Sequence, residues 1–314
     1  MNGRLLLIEG VQVAVVMGLS PALTGWVRML KCWTQGRTSA GLLQPYRDLA
    51  KLFAKDVLLA ENASWIFRFT PYLVFGVAVL IGGIIPILTT GLPMSAIADV
   101  IVIVGLFAVA RFFTALAGMD TGTAFGGMGA SREMTIAALA EPAMLMSIFA
   151  LSLSAKSTSL SHMVQVIYSG QTVLKPSIIF ALLAYVMITL AETGRIPVDN
   201  PSTHLELTMI HEAMILEYSG RHLALIEWAS MMKLFIYATI GLSLFFPWGI
   251  ATTNSPSALL AAIFFLAVKL AAVAVVIVLI ETGLAKMRLF RLTEFLGAAF
   301  LLATLGMLAF YILD

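Results

Sequence analysis

Eight long apolar runs restrict what this chain can fold into more than any other feature. They fall roughly at 5–27, 66–90, 98–117, 133–153, 174–192, 224–247, 257–282 and 293–313. Each is close to the ~20 apolar residues that a helix needs to cross a bilayer, and none shows the two-residue alternation of a transmembrane β-barrel. Because 60% of the residues are hydrophobic and only 11% are charged, the composition fits no soluble domain of this length. We therefore predict an all-α integral membrane protein, a single transmembrane domain over 1–314 with eight transmembrane helices.

The basic residues between the runs predict the orientation of the chain. Thirteen of the 19 lysines and arginines fall in the odd-numbered connections, and only three lie before the first run or in the even-numbered connections. Lysine and arginine concentrate in the cytoplasmic loops of membrane proteins. The bias therefore predicts cytoplasmic loops at 28–65, 118–132 and 193–223, with both termini outside. The last of these is a long polar loop between helices 5 and 6.

Cysteine and histidine content limits the cofactors that this chain can carry. A single cysteine, Cys32, excludes an internal disulfide and a cysteine-held iron–sulfur cluster. His204 and His211 are seven residues apart, about 10 Å along a helix, which is too far to chelate one ion. We expect no metal site and no cofactor in this chain. The basic residues are explained by topology, so the small net charge gives no indication of nucleic-acid binding.

The first predicted cytoplasmic loop contains an amphipathic segment. After the helix breaker Gly41, the stretch 42–55 places Leu49, Leu52 and Phe53 on one face of a helix and charged side chains mostly on the others. Such a helix lies either in the lipid interface or against a partner protein. The sequence leaves these two interpretations equally open.

A glycine-rich segment at 118–133 precedes the fourth run. It lacks the Lys-Ser/Thr ending of a nucleotide-binding loop and follows no strand, so a phosphate site is disfavoured. Glycine allows neighbouring backbones to approach closely. We therefore expect a tight turn packed against adjacent backbone.

Ionisable residues inside the apolar runs are candidates for ion transfer. Glu133 and Glu141 share one side of the fourth helix, and Pro142 frees the backbone carbonyl of Ala138. Lys233 and Lys269 lie within the sixth and seventh runs. Such groups cost about 2.5–3.5 kcal/mol each on insertion and usually mark a hydrated path or a paired partner. For Glu141, a purely structural hydrogen bond is the alternative.

The segment from Glu192 to His222 concentrates polar residues between two apolar runs. It holds five of the 17 acidic residues and three of the four histidines. A continuous helix over 204–217 would carry polar residues along two opposite sides and apolar residues between them. This pattern indicates a helix that is enclosed by protein. Histidines beside carboxylates suit a proton relay, and a hydrogen-bonded structural seam is the alternative.

Three motifs in this chain resemble one family. Residues 192–199, ETGRIPVD, are similar to the E-T-N-R-x-P-F-D signature of the respiratory complex I membrane subunit that adjoins the quinone cavity. Residues 217–220, EYSG, resemble the end of the same loop in that subunit. Residues 41–52 resemble its G-x-x-Q-P…D…K-L motif. The resemblance covers nearly the whole chain and implies the same eight-helix plan.

Other segments are more similar to the hydrogenase branch of that superfamily, found in formate hydrogenlyase and energy-converting NiFe hydrogenases. They are Tyr46-Arg47-Asp48, Asp120-Thr121-Gly122, 129–133 and Glu141-Pro142. The chain departs from the family where Ser202 and His204 replace acids. The resemblance therefore implies carboxylate roles only for Glu192, Asp199, Glu206 and Glu217.

The resemblance implies a non-catalytic subunit of a prokaryotic inner-membrane complex. Its expected partners are the large and small subunits of a cytoplasmic hydrogenase arm, which hold the Ni-Fe centre and the iron–sulfur clusters, and antiporter-like membrane subunits in the bilayer. The predicted proton or ion relay comprises Glu133, Glu141, Glu192, Asp199, Glu206, Glu212, Glu217, Lys233 and Lys269. The residues predicted to support the loops and dock partners are Arg195, His204, His211, Gln44, Tyr46, Arg47 and Asp48.

Three other functions remain compatible with the sequence. The chain could be the quinone-cavity subunit of a complex I-like oxidoreductase, a stand-alone cation antiporter, or a structural anchor that moves no ions. The first differs in the catalytic arm that it carries. The second predicts activity for the isolated chain, and the third predicts that the embedded carboxylates are dispensable.

Overall fold

A computed structural model describes residues 3–169, 175–195, 210–251, 255–283 and 289–312. In this part of the chain the backbone forms α-helices, a short 3-10 helix at Pro93–Ile97, and two isolated β-bridges but no β-strand. The α-helices are α1 (Gly3–Thr34), α2 (Gln44–Phe53), α3 (Trp65–Ile84), α4 (Val100–Asp120), α5 (Ala124–Ala155), α6 (Leu160–Tyr168), α7 (Pro176–Glu192), α8 (His211–Ile215), α9 (Gly220–Phe245), α10 (Pro256–Gly283) and α11 (Leu289–Ile312).

Seven of these helices are long and apolar enough to cross a membrane: α1, α3, α4, α5, α9, α10 and α11. This finding confirms the all-α membrane fold. The run predicted at 174–192 forms α7, which has only 17 residues. The count of eight crossings and the side on which the termini lie therefore stay predictions.

Contacts between helix ends define two faces of the bundle. At the first, the backbone N–H of Ser64 before α3 donates to Asp120 at the end of α4 over 2.7 Å. We call this end, where α1, α4 and α10 finish and α3, α5 and α9 begin, the loop face. At the opposite face, the N–H of Leu160 donates to the carbonyl of Ala98 over 2.8 Å. Consecutive long helices thus run in opposite directions.

Helix α9 lies at the centre of the bundle and is the most deeply buried of the long helices. It packs against α1, α2, α3 and α7. Phe235 and Tyr237 of α9 are almost fully enclosed. A polar group on the buried part of this helix must therefore find its partner within the protein.

Pro21 interrupts the backbone hydrogen bonding of α1. A proline has no N–H, so the carbonyl of Met17, four residues earlier, loses its helical partner. The indole N–H of Trp228 on α9 donates to this carbonyl over 3.1 Å. The carbonyl that Pro21 leaves free thus connects α1 to α9.

Pro71 has the same effect in α3. The carbonyl that it frees belongs to Phe67, and the hydroxyl of Tyr218 donates to it over 3.0 Å. The two rings also stack, with centroids 3.9 Å apart. Burial raises the pKa of Tyr218, so the hydroxyl keeps its proton and remains a donor.

The glycine-rich segment differs in part from the prediction. Residues 118–132 form the end of α4, a turn around Gly122 with φ of 68°, and the first turns of α5, which begins at Ala124 and not near 133. The predicted close backbone approach is confirmed, because a Cβ on Gly129 would lie 2.9 Å from the carbonyl oxygen of Ile210. Because Gly118 and Gly129 have no side chain, α8 packs closely against α4 and α5.

The amphipathic helix predicted after Gly41 is confirmed as α2. Its buried residue Leu49 packs with Ala224 and Met231 of α9, and the ring of Phe53 meets Trp228 edge-on at 6.2 Å. The apolar face is thus covered by the same chain. The charged face points away from this contact.

The helix predicted over 204–217 is described only in part. Residues 196–209, which include Asp199, His204 and Glu206, lie outside the described residues. From 210 onward the helix covers only His211–Ile215. Ile210, with φ of −120° and ψ of −77°, is not helical, so α8 begins as a separate short helix.

Candidate functional site

Arg111, near the middle of α4, pairs with three carboxylates inside the helix bundle. Its Nη1 donates to Oε1 of Glu141 over 2.7 Å, and its Nη2 donates to Oε2 of Glu192. Its Nε lies 3.2 Å from Oε1 of Glu133. The two glutamates of α5 thus reach one arginine, as their shared helix side predicts.

Lys233 of α9 adds a second cation, with Nζ 3.0 Å from Oε2 of Glu192. The side chains of Arg111 and Glu192 are only 5% and 2% exposed. We call Arg111, Glu133, Glu141, Glu192 and Lys233 the Arg111 cluster. When all five are ionised, three negative and two positive charges leave one negative charge in excess. Charges removed from water are tolerated in this way only when they are paired.

Helix α7 ends at the depth of the Arg111 cluster, so the backbone that follows it lies beside the cluster. Glu192 is the last residue of α7, yet it contacts residues near the middle of α4 and α9. Helix α7 therefore ends inside the bundle. The turn that follows, Thr193-Gly194, lines a cavity of about 100 Å³ beside Arg111 and Lys233. A cavity needs about 10–15 Å³ of such space to hold one water molecule, so this cavity has room for several waters.

A second cavity of about 360 Å³ lies towards the loop face. Both cavities are bounded by Thr193, Gly194, His211, Ile226 and Ser230. These residues form the boundary between the two spaces, and three of them carry hydroxyl or imidazole groups that can exchange protons. The second cavity also has the side chains of Glu212 and Glu227 on its wall.

A second buried ion-pair group lies beside the second cavity. Glu281 of α10 is 2% exposed and accepts from Nζ of Lys31 over 2.9 Å and from Nη1 of Arg195 over 3.2 Å. Burial lowers the pKa of Arg195, and the adjacent Glu281 carboxylate opposes that effect. The group joins the ends of α1 and α10 to the turn after α7.

The turn between the two ion-pair groups is compact. Gly194 adopts a φ of 58°, a conformation that favours glycine. The N–H of Arg195 then donates to the carbonyl of Leu190 over 3.0 Å. Glu192 and Arg195 therefore belong to one closed turn, which connects the two ion-pair groups.

The EYSG motif, residues 217–220, connects the start of α9 to the first loop. The hydroxyl oxygen of Ser219 accepts from the N–H of Leu58 and donates to its carbonyl, each over 2.8 Å. Gly220 has a φ of 53° and lies so close to Asp56 that a Cβ would be 2.6 Å from its carbonyl oxygen. Glu217 is exposed and lies apart from the Arg111 cluster.

The predicted docking residues of the first loop lie on α2. Gln44 donates to Asp48 over 2.8 Å, and Asp48 lies 3.7 Å from the exposed Arg28. The hydroxyl of Tyr46 donates to the carbonyl of Gly18 on α1, and burial raises the pKa of Tyr46. Arg47 is exposed. Tyr46 therefore ties α2 to α1, Gln44 is paired within α2, and the Arg47 side chain is exposed.

Lys269 lies away from the Arg111 cluster. Its Nζ donates to the carbonyl of Phe246, just after α9, over 2.7 Å and lies 4.4 Å from the ring centroid of Trp248. Among the described residues it forms no ion pair. Lys269 therefore caps the carboxyl end of α9 through this hydrogen bond.

The structure therefore brings together four of the predicted relay residues: Glu133, Glu141, Glu192 and Lys233. The central position of Arg111 was not predicted from the sequence. The signal was present, because Arg111 is the only charged residue in the run at 98–117 other than Asp99 near its start. Within the described ranges, no group of histidine, cysteine, aspartate and glutamate side chains could hold a metal ion.

The fold and this site define a helical membrane protein of the complex I-like class, with charged groups paired inside the bundle and cavities leading to one face. The chain belongs to the NADH dehydrogenase family, whose family model matches residues 8–312. The resemblance seen in the three motifs is thereby confirmed.

Individual relatives include hydrogenase components. The chain is 33% identical to formate hydrogenlyase subunit 4 of Escherichia coli strain K12, over 89% of this chain and 90% of that protein. It is 31% identical to hydrogenase-4 component C of the same organism, over 97% and 96% of the two chains. Identity to NADH-quinone oxidoreductase subunit 8 of Rhodothermus marinus is 26%, over 66% of this chain and 61% of that protein.

A solved structure shows the same fold. A chain of the archaeal membrane-bound sulfane sulfur reductase, a respiratory membrane complex, matches with a TM-score of 0.81 over 97% of both chains. Its sequence identity to this chain is 19%. The likeness therefore extends to the arrangement of helices.

Proposed function

We propose that the chain is a cofactor-free membrane subunit of a redox-driven, ion-translocating complex. In this proposal it anchors a cytoplasmic NiFe hydrogenase arm of the formate hydrogenlyase type. It couples electron transfer in that arm to translocation of protons or sodium ions. The hydrogenase components among the relatives, at 33% and 31% identity, support the choice of arm.

The observation that carries the proposal is the Arg111 cluster with its two adjoining cavities. Three carboxylates and two cations lie inside the bundle, and polar side chains lead from them to the loop face. A charge change at the loop face would alter the pairing of Glu192 through the turn at Thr193-Gly194. Proton uptake and release by the cluster would follow from that change.

The proposal assigns the loop face to the cytoplasm of a prokaryotic cell, with the chain crossing the inner membrane eight times and both termini outside. The hydrogenase large and small subunits would dock on the exposed side of α2 and on the EYSG turn. Antiporter-like subunits would lie beside the chain in the bilayer. Asp199, His204, Glu206, Glu217 and Lys269 keep their predicted roles as hypotheses.

Glu192→Gln tests the coupling. The variant keeps the size of the side chain but removes the charge that holds both Arg111 and Lys233. We expect the purified complex in proteoliposomes to keep hydrogen evolution and to lose most of its ion movement. Glu61→Gln, an exposed change in the first loop, is the matched control and should leave both activities intact. Full ion movement in assembled Glu192→Gln complexes would contradict the relay.

A quinone-cavity subunit is the second candidate. The loop-face cavity of about 360 Å³ and the relatedness to NADH-quinone oxidoreductase subunits favour it. Assays of the intact complex for hydrogen evolution and for quinone reduction separate the two functions. An arm without nickel and iron would exclude the hydrogenase proposal. Ion exchange by the isolated chain in liposomes would instead favour a stand-alone antiporter.

A further inference from the structure

Glu141 presents part of a carboxylate to the outside of the bundle. Its side chain is 31% exposed, although its partner Arg111 is 5% exposed. Arg111 Nη1 reaches Oε1, and no donor among the described residues reaches Oε2. Glu141 lies more than ~20 Å along α5 from either helix end, which is far from both faces.

The exposed side of α5 around Glu141 is otherwise apolar or small. Met134, Ala138 and Pro142 are exposed on it, one helical turn apart. A carboxylate at this depth would face hydrocarbon if lipid covered this side, which is energetically unfavourable. When all five groups of the Arg111 cluster are ionised, its one excess negative charge makes such exposure more unfavourable.

A second acceptor lies on the same surface. Pro142 has no N–H, so the carbonyl of Ala138 lacks its helical partner. The other two carbonyls freed in this way accept from Trp228 and Tyr218. In contrast, no side chain within the described ranges donates to Ala138. An unpaired carbonyl facing lipid is unfavourable because hydrocarbon offers no donor.

We propose that this surface, defined by Ala138, Glu141 and Pro142, is where a second membrane subunit packs, through a transmembrane helix that presents a lysine or arginine. Both open sites are acceptors, and one site belongs to a cluster of three carboxylates and only two cations. A cationic side chain supplies donors and charge together. The small Ala138 lets a neighbouring helix approach closely.

The inference rests on the proposed function only in assuming that the chain works beside other membrane subunits. It adds where one of them lies and what its helix carries. The ion pair would also extend the Arg111 cluster across the subunit boundary. Electrostatic complementarity of this kind fixes the register between partners.

Photo-crosslinking in the intact complex tests the contact. A benzoylphenylalanine at position 138 should form a covalent adduct with another membrane subunit, and the linked peptide should lie within a helical turn of a lysine or arginine. The same group at Phe264, an exposed residue of α10, sets the background. Adducts at 138 with lipid alone, with a peptide that has no cation, or no stronger than at 264 would overturn the proposal.

Charge removal supplies a second measurement. Glu141→Gln should reduce retention of that subunit during affinity purification by roughly tenfold or more, as expected for truncating one member of a desolvated ion pair. Unchanged retention would overturn the proposed ion pair. Neither measurement requires turnover. Failure here therefore leaves the coupling test at Glu192 unaffected, and a failed coupling test leaves the crosslinking result intact.

Discussion

Removal of one hydroxyl tests whether the carbonyl freed by Pro71 needs a donor from outside its helix. Tyr218→Phe keeps the ring that stacks on Phe67 at 3.9 Å but deletes the 3.0 Å hydrogen bond to the Phe67 carbonyl. A buried acceptor left without a partner costs about 1–3 kcal/mol. We expect the variant to lose a free energy of unfolding in that range and to melt several degrees lower.

A double-mutant cycle isolates the effect. Pro71→Ala restores an N–H that can donate to the Phe67 carbonyl, so Tyr218→Phe in that background should cost less than ~0.5 kcal/mol. Thermal unfolding in detergent, followed by circular dichroism, measures all four proteins, with the exposed Tyr311→Phe as control. An equal cost of Tyr218→Phe in both backgrounds would refute the link between the proline and the tyrosine.

Two further substitutions test close packing and buried charge in the same unfolding assay. Gly129→Ala places a Cβ 2.9 Å from the carbonyl oxygen of Ile210, so we expect a loss of about 1–3 kcal/mol. Gly127→Ala, with open space around the added Cβ, should be neutral or stabilising, and similar results for both would contradict the seating of α8. Glu281→Gln leaves two cations without their shared carboxylate and should cost about 3 kcal/mol. Asp48→Asn breaks an exposed 3.7 Å pair and should cost less than ~1 kcal/mol; an equal cost would refute the contribution of burial.

The sequence predicted the long helices well because hydrophobic length is a local property. It placed the start of α5 nine residues too late, since glycines disfavour an isolated helix by about 1 kcal/mol each. In the structure Gly126 faces α4 and Gly129 faces the start of α8, where a Cβ on either residue would collide with backbone. Tertiary packing thus overrides the low helix propensity of glycine, which is the only signal that the sequence offers here.

The site was predictable only as a list of unusual residues. The shared side of Glu133 and Glu141 follows from helix geometry, and the structure confirms that both face Arg111. Which cation they meet depends on the rotation and depth of α4 and α7, and neither leaves a pattern in the sequence. For the same reason Lys233 could be predicted to need a carboxylate, but not to need Glu192.

The early end of α7 has an electrostatic consequence beyond the space that it leaves. Aligned peptide dipoles give the carboxyl end of a helix a partial negative charge of about half an electron. That end lies beside Arg111 and Lys233. The dipole does not titrate, so part of the field that holds the two cations persists when a neighbouring glutamate takes up a proton. A helix that finishes within the bundle thus acts as a permanent counter-charge for Arg111 and Lys233.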